Sequence, residues 1–300
     1  MATAADIERS YEFMDGILRA ALGETFDFSC AHFGDEPKTL AQAQHDKHAY
    51  ALNALRFQPG MRVLDIGCGW GPMVKAIRDR GGRPVGITLS PNQVRACHRN
   101  GLHDVHLLDW RDVTRETFGS FDGIVSHGAF EHFCSMEEFR AGQQLQAYER
   151  FFALCHSLLP IGGRIHLQTL THGKHMVSPD QVSVDAPKGS IGYLLGLMTK
   201  LYANSWLPES REQIVEAARG FSLVESRNGR RDWIRTIEAW KEPKRRWSRA
   251  RVWHTLLLAP KFVRDRDFRY QVECGSTFAL QQLLALEVWD EWGLVLERTG

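Results

Sequence analysis

From Arg62 to Thr169, short apolar runs alternate with amphipathic stretches. Val63 to Ile66, Pro84 to Leu89, Val105 to Leu108, Phe121 to Ser126 and Arg164 to Thr169 read as strands, rich in apolar and β-branched residues. Met73 to Asp79, Pro91 to Arg99 and Met136 to Leu159 read as helices between them. Strands separated by helices through short connections run parallel with right-handed crossovers, which predicts an α/β fold with a doubly wound sheet. Ligands of such sheets bind at the carboxyl ends of the strands. The unusual residues collect there: Asp65 to Gly71, Thr88, Asp109-Trp110, Gly128 to His132, and Gln168.

The flanks have a different pattern. Ile7, Tyr11, Met14, Ile17, Leu18 and Leu22 follow helical spacing, which predicts an N-terminal helix over about Ala5 to Leu22. Thr39 to Phe57 reads as a polar helix ended by Pro59-Gly60, with His45 and His48 one turn apart and expected to be solvated. After Thr169 come a polar stretch to Ser190 and an apolar run from Ile191 to Met198. A capping box at Ser210 to Gln213 then opens a helix that closes at Gly220. Phe221 to Ser226 reads as a strand, Trp233 to Trp247 and Arg269 to Leu283 as helices, and Trp289 to Glu297 as a last strand. A long excursion after a fifth strand is where such folds place a lid. The expected organisation is an N-terminal helical cap over residues 1–60 and a Rossmann-like core over 61–170. The lid and the elements completing a single domain follow over 171–300.

Composition narrows the classes. At 43% hydrophobic and 24% charged, the 300 residues are those of a globular protein able to bury a full core. Lys and Arg number 37 against 36 Asp and Glu, so no global field selects nucleic acid. Cys30, Cys68, Cys97, Cys134, Cys155 and Cys274 are scattered without a C-x-x-C pair, which fits reduced thiols and gives no zinc framework. The start Met1-Ala-Thr-Ala-Ala-Asp lacks a signal-peptide pattern, so a cytoplasmic location is expected.

The chemistry centres on Leu64-Asp-Ile-Gly-Cys-Gly-Trp-Gly71. Gly67, Gly69 and Gly71 permit a sharp strand-to-helix turn and let backbone N–H groups approach a ligand. A dinucleotide fingerprint needs its third glycine where Pro72 stands, which argues against a nicotinamide oxidoreductase. Asp65-x-Gly67-x-Gly69-x-Gly71 instead resembles motif I of class I S-adenosylmethionine (SAM) methyltransferases. With Phe28-Ser-Cys-Ala-His-Phe33, Gly86-Ile-Thr-Leu-Ser-Pro-Asn-Gln93, Gly128-Ala-Phe-Glu-His-Phe133 and Tyr270-x-x-x-Cys274-x-x-x-Phe278, the ordered set resembles the cyclopropane fatty acid synthase and mycolic acid cyclopropane synthase family.

The resemblance implies a mostly parallel seven-stranded class I methyltransferase sheet with N-terminal helices and a helical lid. It implies SAM as cofactor, lined by Phe28, Ser29, Asp65, Gly67, Gly69, Gly71, Thr88, Leu89, Gln93, Asp109 and Trp110. It implies no metal. In that family a bicarbonate ion acts as base, and the matching positions are Cys30, Glu131, Gln168 and Tyr270. Gln168 replaces a histidine of the family pattern, and a neutral amide supplies neither the charge nor the proton of imidazole, which puts bicarbonate in doubt. Phe28 replaces a tyrosine.

The implied activity is methyl transfer to an alkene or allylic carbon of a lipid-like or isoprenoid acceptor through a carbocation, with Glu131 as base or holder of the base. An N-methyltransferase of the same fold acting on a small polar metabolite is the alternative, and a cofactor-binding module without catalysis a third reading. Trp240 to Trp253 interleaves cations and tryptophans and suits either peripheral membrane contact or a solvated helix. His172 and His175 are candidates for the missing histidine, while His127 and His132 are expected to be structural. The expected partners are the acceptor and no nucleic acid, with a homodimer left open.

Overall fold

A computed structural model describes residues 26–202, 205–245 and 258–300. The helix expected over Ala5 to Leu22 lies outside them, as do residues 246–253 of the cation-tryptophan stretch. Helix α1 (Leu40–Ala54) opens on a capping box between Thr39 and Gln42. Then follow β1 (Arg62–Ile66), α2 (Pro72–Asp79), β2 (Arg83–Thr88), α3 (Pro91–Arg99), β3 (Val105–Leu107), α4 (Arg115–Phe118) and β4 (Gly123–His127). Next are α5 (Met136–Arg140), α6 (Gln144–Leu158), β5 (Arg164–His172), α7 (Ile191–Leu201), α8 (Arg211–Ala217) and β6 (Phe221–Asn228). The chain ends in α9 (Arg230–Arg245), α10 (Arg266–Thr277), α11 (Ala279–Ala285) and β7 (Trp289–Arg298).

The seven strands form one sheet in the order β3-β2-β1-β4-β5-β7-β6. β1 to β5 pair in parallel, and β7 runs antiparallel to both β5 and β6. This is the doubly wound arrangement the alternation predicts. Tyr148, Phe151 and Phe152 of α6 pack with Phe130 and the sheet residues Ile124, Ile165 and Leu167 in one core layer. Leu52 and Leu55 with Met73 and Ile77 pack against Val63 and Val125 in another. A further core joins α7, α9, α10 and α11 through Leu194, Leu197, Trp233, Cys274 and Leu283. That core is the lid, drawn from the excursion after β5 and from the long connection between β6 and β7.

Four details differ from the sequence reading. The helix expected over Met136 to Leu159 is split into α5 and α6 at Gly142, whose φ is +69°. The one expected over Arg269 to Leu283 is split at Phe278, which adopts φ +52°. Apolar spacing runs through both breaks, so periodicity does not reveal them. At α8, Gln213 Nα donates to Ser210 Oγ, but Gln213 Oε1 accepts from Glu209 and the capping box is half formed. β5 continues past Thr169 to His172, and this extension builds the site.

Candidate active site

β1 ends in the glycine loop. Gly67 has φ +81°, and a Cβ there would fall 2.4 Å from the Cβ of Ala129, so only glycine lets this loop close on the loop after β4. Gly71, also at positive φ, serves differently: it caps α2, and a Cβ would meet Leu102 Cδ1 at 2.6 Å. Its neighbours Trp70 and Pro72 line the ligand chamber, and packing of the turn accounts for the glycine itself.

The chamber over the carboxyl ends of β1, β2 and β4 offers about 1030 Å³ of empty space, counting the solvent-open mouth. Phe28, Ser29, Asp65, Gly67, Gly69, Thr88, Leu89, Gln93, Asp109 and Trp110 all line it. Asp65 is buried with Oδ2 unpartnered, and burial together with nearby Asp27 pushes its carboxyl up to about 7. A hydrogen-bond donor is the partner that such an acceptor lacks. Thr88 Oγ1 lies 2.6 Å from Gln93 Oε1, which fixes the amide at the mouth of β2. Asp109 is partly desolvated, yet hydrogen bonds from Arg111 hold its carboxyl below the ordinary range. Trp110 is wedged edge-on against Phe151 and tilted on Phe133, so its ring forms a fixed wall.

One cluster here escaped the sequence reading. The Asp27 carboxylate pairs with Lys47 and with His48 Nε2 at 2.8 Å, and accepts from Ser29 Oγ at 2.7 Å. Burial opposes its charge, but Lys47 and His48 outweigh it and hold the carboxyl ionised far below its usual range. His48 is therefore buried and bonded, contrary to its expected solvation, while His45 is exposed as expected. The cluster clamps the Phe28–Ser29 segment to α1.

A second chamber of about 830 Å³ shares Phe28, Ser29, Gly128 and His132 with the first. Its remaining wall is mainly apolar: Leu170, Met176, Leu195, Met198, Leu207, Trp233 and Trp289. β4 stops at His127, opposite Gln168, and β5 runs on paired only with β7. The unpaired Leu170 N–H left by that ending is taken by Glu131 Oε1 at 3.0 Å, from the 3₁₀ turn after β4. Glu131 Oε2 has no partner. Burial raises its carboxyl to about 7, with hydrogen bonds including that of Leu170 opposing.

Cys30, Glu131 and Gln168 line this chamber, and Tyr270 does not. The Tyr270 hydroxyl, expected to steady the cation or the base, accepts from Arg266 at 2.9 Å outside this chamber's lining. His172 lines the chamber with Nε2 unpartnered, whereas His175 bonds the Leu286 carbonyl outside it. His132 Nδ1 is 2.8 Å from Ser205 Oγ, a fixed structural contact. Trp240, the first of the cation-tryptophan stretch, is buried and stacks on Phe28. The sequence reading also missed Glu291, buried in the second chamber. Its signal was available: in a strand, residues two apart share a face, and Glu291 shares that of Trp289.

Residues 1–278 match the family model described as mycolic acid cyclopropane synthetase. The chain belongs to this family. Cyclopropane mycolic acid synthase 1 of Mycobacterium tuberculosis is 30% identical over 281 residues, covering 92% of this chain and 93% of that protein. The structure of the cyclopropane synthase MmaA2 from the same species superposes with a TM-score of 0.75 at 27% identity, covering 98% of both chains. The mycolic acid cyclopropane synthase CmaA1, solved with SAH and CTAB, gives 0.73 at 26% identity, with 98% of each chain covered. This family member is thus a SAM-dependent methyltransferase with the class I fold. The first chamber suits SAM, since Asp65 Oδ2 awaits a donor and the Gly67 turn brings backbone to the ligand.

Proposed function

We propose that the enzyme transfers the methyl of SAM to an alkene or allylic carbon of a lipid-like or isoprenoid acceptor. The observation that carries this reading is the second chamber, an apolar cavity joined to the cofactor chamber at Phe28, Ser29, Gly128 and His132. A hydrocarbon chain entering it leaves water and meets aliphatic and indole surface, worth about 25 cal/mol per Å² buried. That its relatives are cyclopropane synthases supports an unsaturated acceptor.

The sulfonium of SAM supplies an electrophilic methyl group. The chain's residues align donor and acceptor, exclude water and take up a proton. Attack by an alkene leaves a cation on the adjacent carbon, and a base must remove a proton. Glu131 lines the acceptor chamber, buried, with one oxygen fixed by Leu170 and the other unspent. Its carboxyl, raised to about 7, is poised to accept a proton near neutral pH.

The test is incubation with methyl-labelled SAM and unsaturated phospholipid, fatty acyl or isoprenoid acceptors, followed by extraction and NMR of the product. Label in an organic-phase product, with either cyclopropane or methyl-branched alkene protons, is expected. Label confined to a small aqueous amine would overturn the reading in favour of N-methylation.

A further inference from the structure

The antiparallel register of β5 and β7 sets Gln168 opposite Gly293, Leu170 opposite Glu291 and His172 opposite Trp289. Directly opposed residues of antiparallel strands project to the same face. Gln168, Leu170, His172, Trp289 and Glu291 therefore form one floor of the acceptor chamber. Glu291 is 3% exposed and its Oε2 has no partner. Glu131 reaches the same floor from above, bonded to the backbone of Leu170, the residue opposite Glu291. Two buried carboxyls, each with an unspent oxygen, thus line one chamber on either side of Leu170. Burial, and then the charge of Glu131, push the Glu291 carboxyl well above the ordinary carboxylate range. Two such neighbours hold one proton between them more readily than none.

The positions that the family resemblance assigns to bicarbonate do not fit that ion here. The Cys30 thiol is turned to the carbonyls of Ala31 and Gly229. Gln168 Nε2 donates to the Cys30 carbonyl at 3.2 Å, and its Oε1 is unpartnered. Glu131 presents an acceptor, and Tyr270 is held by Arg266 outside the chamber. No cationic side chain stands among the four, and Tyr270 lies outside the chamber lining. A carboxyl of the chain stands beside them instead: a Cβ built on Gly229 would lie 3.1 Å from Glu291 Cγ and 3.5 Å from Cys30 Sγ.

Glu291 and Gln168 also border a small polar cavity on the other side, lined by His32, Lys47, Tyr50, His166 and Arg227. Gly293, opposite Gln168, adds no side chain to block it.

We propose that Glu131 and Glu291 act as a one-proton carboxyl pair that takes up the proton lost by the methylated acceptor, in place of an external anion. Glu291 then passes that proton to the polar cavity. This rests on the alkene reading above. The alkene π pair forms the new carbon–carbon bond to the methyl while the carbon–sulfur pair stays on sulfur. The ionised member of the pair removes a proton from the transferred methyl, whose freed carbon–hydrogen pair closes a cyclopropane on the cationic carbon, or from a carbon beside the cation, whose pair forms a double bond. The proton then passes through Glu291 to the polar cavity.

The test measures turnover on an unsaturated acceptor, in buffer stripped of carbon dioxide and again with added bicarbonate, for the wild type, Glu291→Gln and Glu291→Ala. Wild-type turnover is expected to be indifferent to bicarbonate. Glu291→Gln is expected to lose about 100-fold or more, the range of a lost proton acceptor, with SAH affinity by calorimetry and the melting temperature retained. Formate is expected to restore part of the activity of Glu291→Ala, a rescue that a merely structural role does not produce. Wild-type turnover that requires bicarbonate, or Glu291→Gln turnover within a few-fold of wild type, overturns the pair while leaving the alkene reading intact. Wild type that methylates no unsaturated acceptor overturns both. Should Glu291→Gln fail to fold, the bicarbonate dependence of the wild type decides by itself.

Discussion

His127 Nε2 lies 2.7 Å from His166 Nδ1, so one buried imidazole donates to the other. Two charged rings at that distance would repel, and both are held neutral. Burial, then His166, drives His127 well below 6.5, and burial, then Lys47, takes His166 to about 3. The bond joins the carboxyl ends of β4 and the middle of β5, beneath the cofactor chamber.

The first prediction concerns acid. A histidine whose folded value is depressed keeps its stabilisation above the unfolded value of 6.5 and loses it as pH falls from there toward the folded value. Asp65 and Glu131, both raised to about 7, act in the opposite sense, because the folded state holds their protons where the unfolded chain does not. The histidine contribution is therefore read as a difference. From pH 6.5 to 5, wild type should lose stability relative to His166→Gln by up to about 1.4 kcal/mol per pH unit. Urea denaturation across that range checks it, and a pH-independent difference would sink it.

Removing one partner of a buried ion pair strands the other. Lys47→Met leaves Asp27 with His48 and Ser29 but without its cation. A loss of about 3 to 5 kcal/mol is expected. SAH binding should also weaken, because Asp27 anchors the Phe28–Ser29 wall. Thermal unfolding and calorimetry measure the two effects. The double variant Lys47→Met with Asp27→Leu should recover much of the stability.

At the mouth of β2, Gln93→Leu removes the acceptor of the Thr88 hydroxyl and an amide facing the cofactor chamber. The loss of one such hydrogen-bonding group predicts about tenfold weaker SAH binding, with little change in the rate at saturating SAM. An unchanged dissociation constant would remove Gln93 from the cofactor site.

Glu131→Gln keeps the shape and a hydrogen-bonding oxygen for Leu170 while abolishing the base. Turnover should fall by about 10²- to 10⁴-fold with SAH affinity unchanged, since Glu131 lines only the acceptor chamber. Single-turnover measurements with labelled SAM separate the two quantities.

Much of the core could be read along the chain because its signals are local. The strands from Arg62 onward carry apolar runs, Ser90 caps α3, and the glycine turn sits where β1 ends. The rest depends on partners far away in sequence. Lys47 and His48 lie on a helix whose charged residues suggest solvent, and only Asp27, twenty residues earlier, explains their burial. Glu291 sits between Asp290 and Trp292 in a strand that shows several charges, and its environment is set by β5 rather than by its own neighbours. Tyr270 matched a motif by spacing, yet the turn of α10 places its hydroxyl with Arg266, one helical turn away.

Phe28, Ser29, Gly128 and His132 are walls of both chambers. Occupancy of one side is consequently communicated to the other through four side chains or backbone segments rather than through a distant relay. Linkage makes this exchange symmetrical: whatever factor bound SAM adds to acceptor affinity through the partition, bound acceptor adds to SAM affinity.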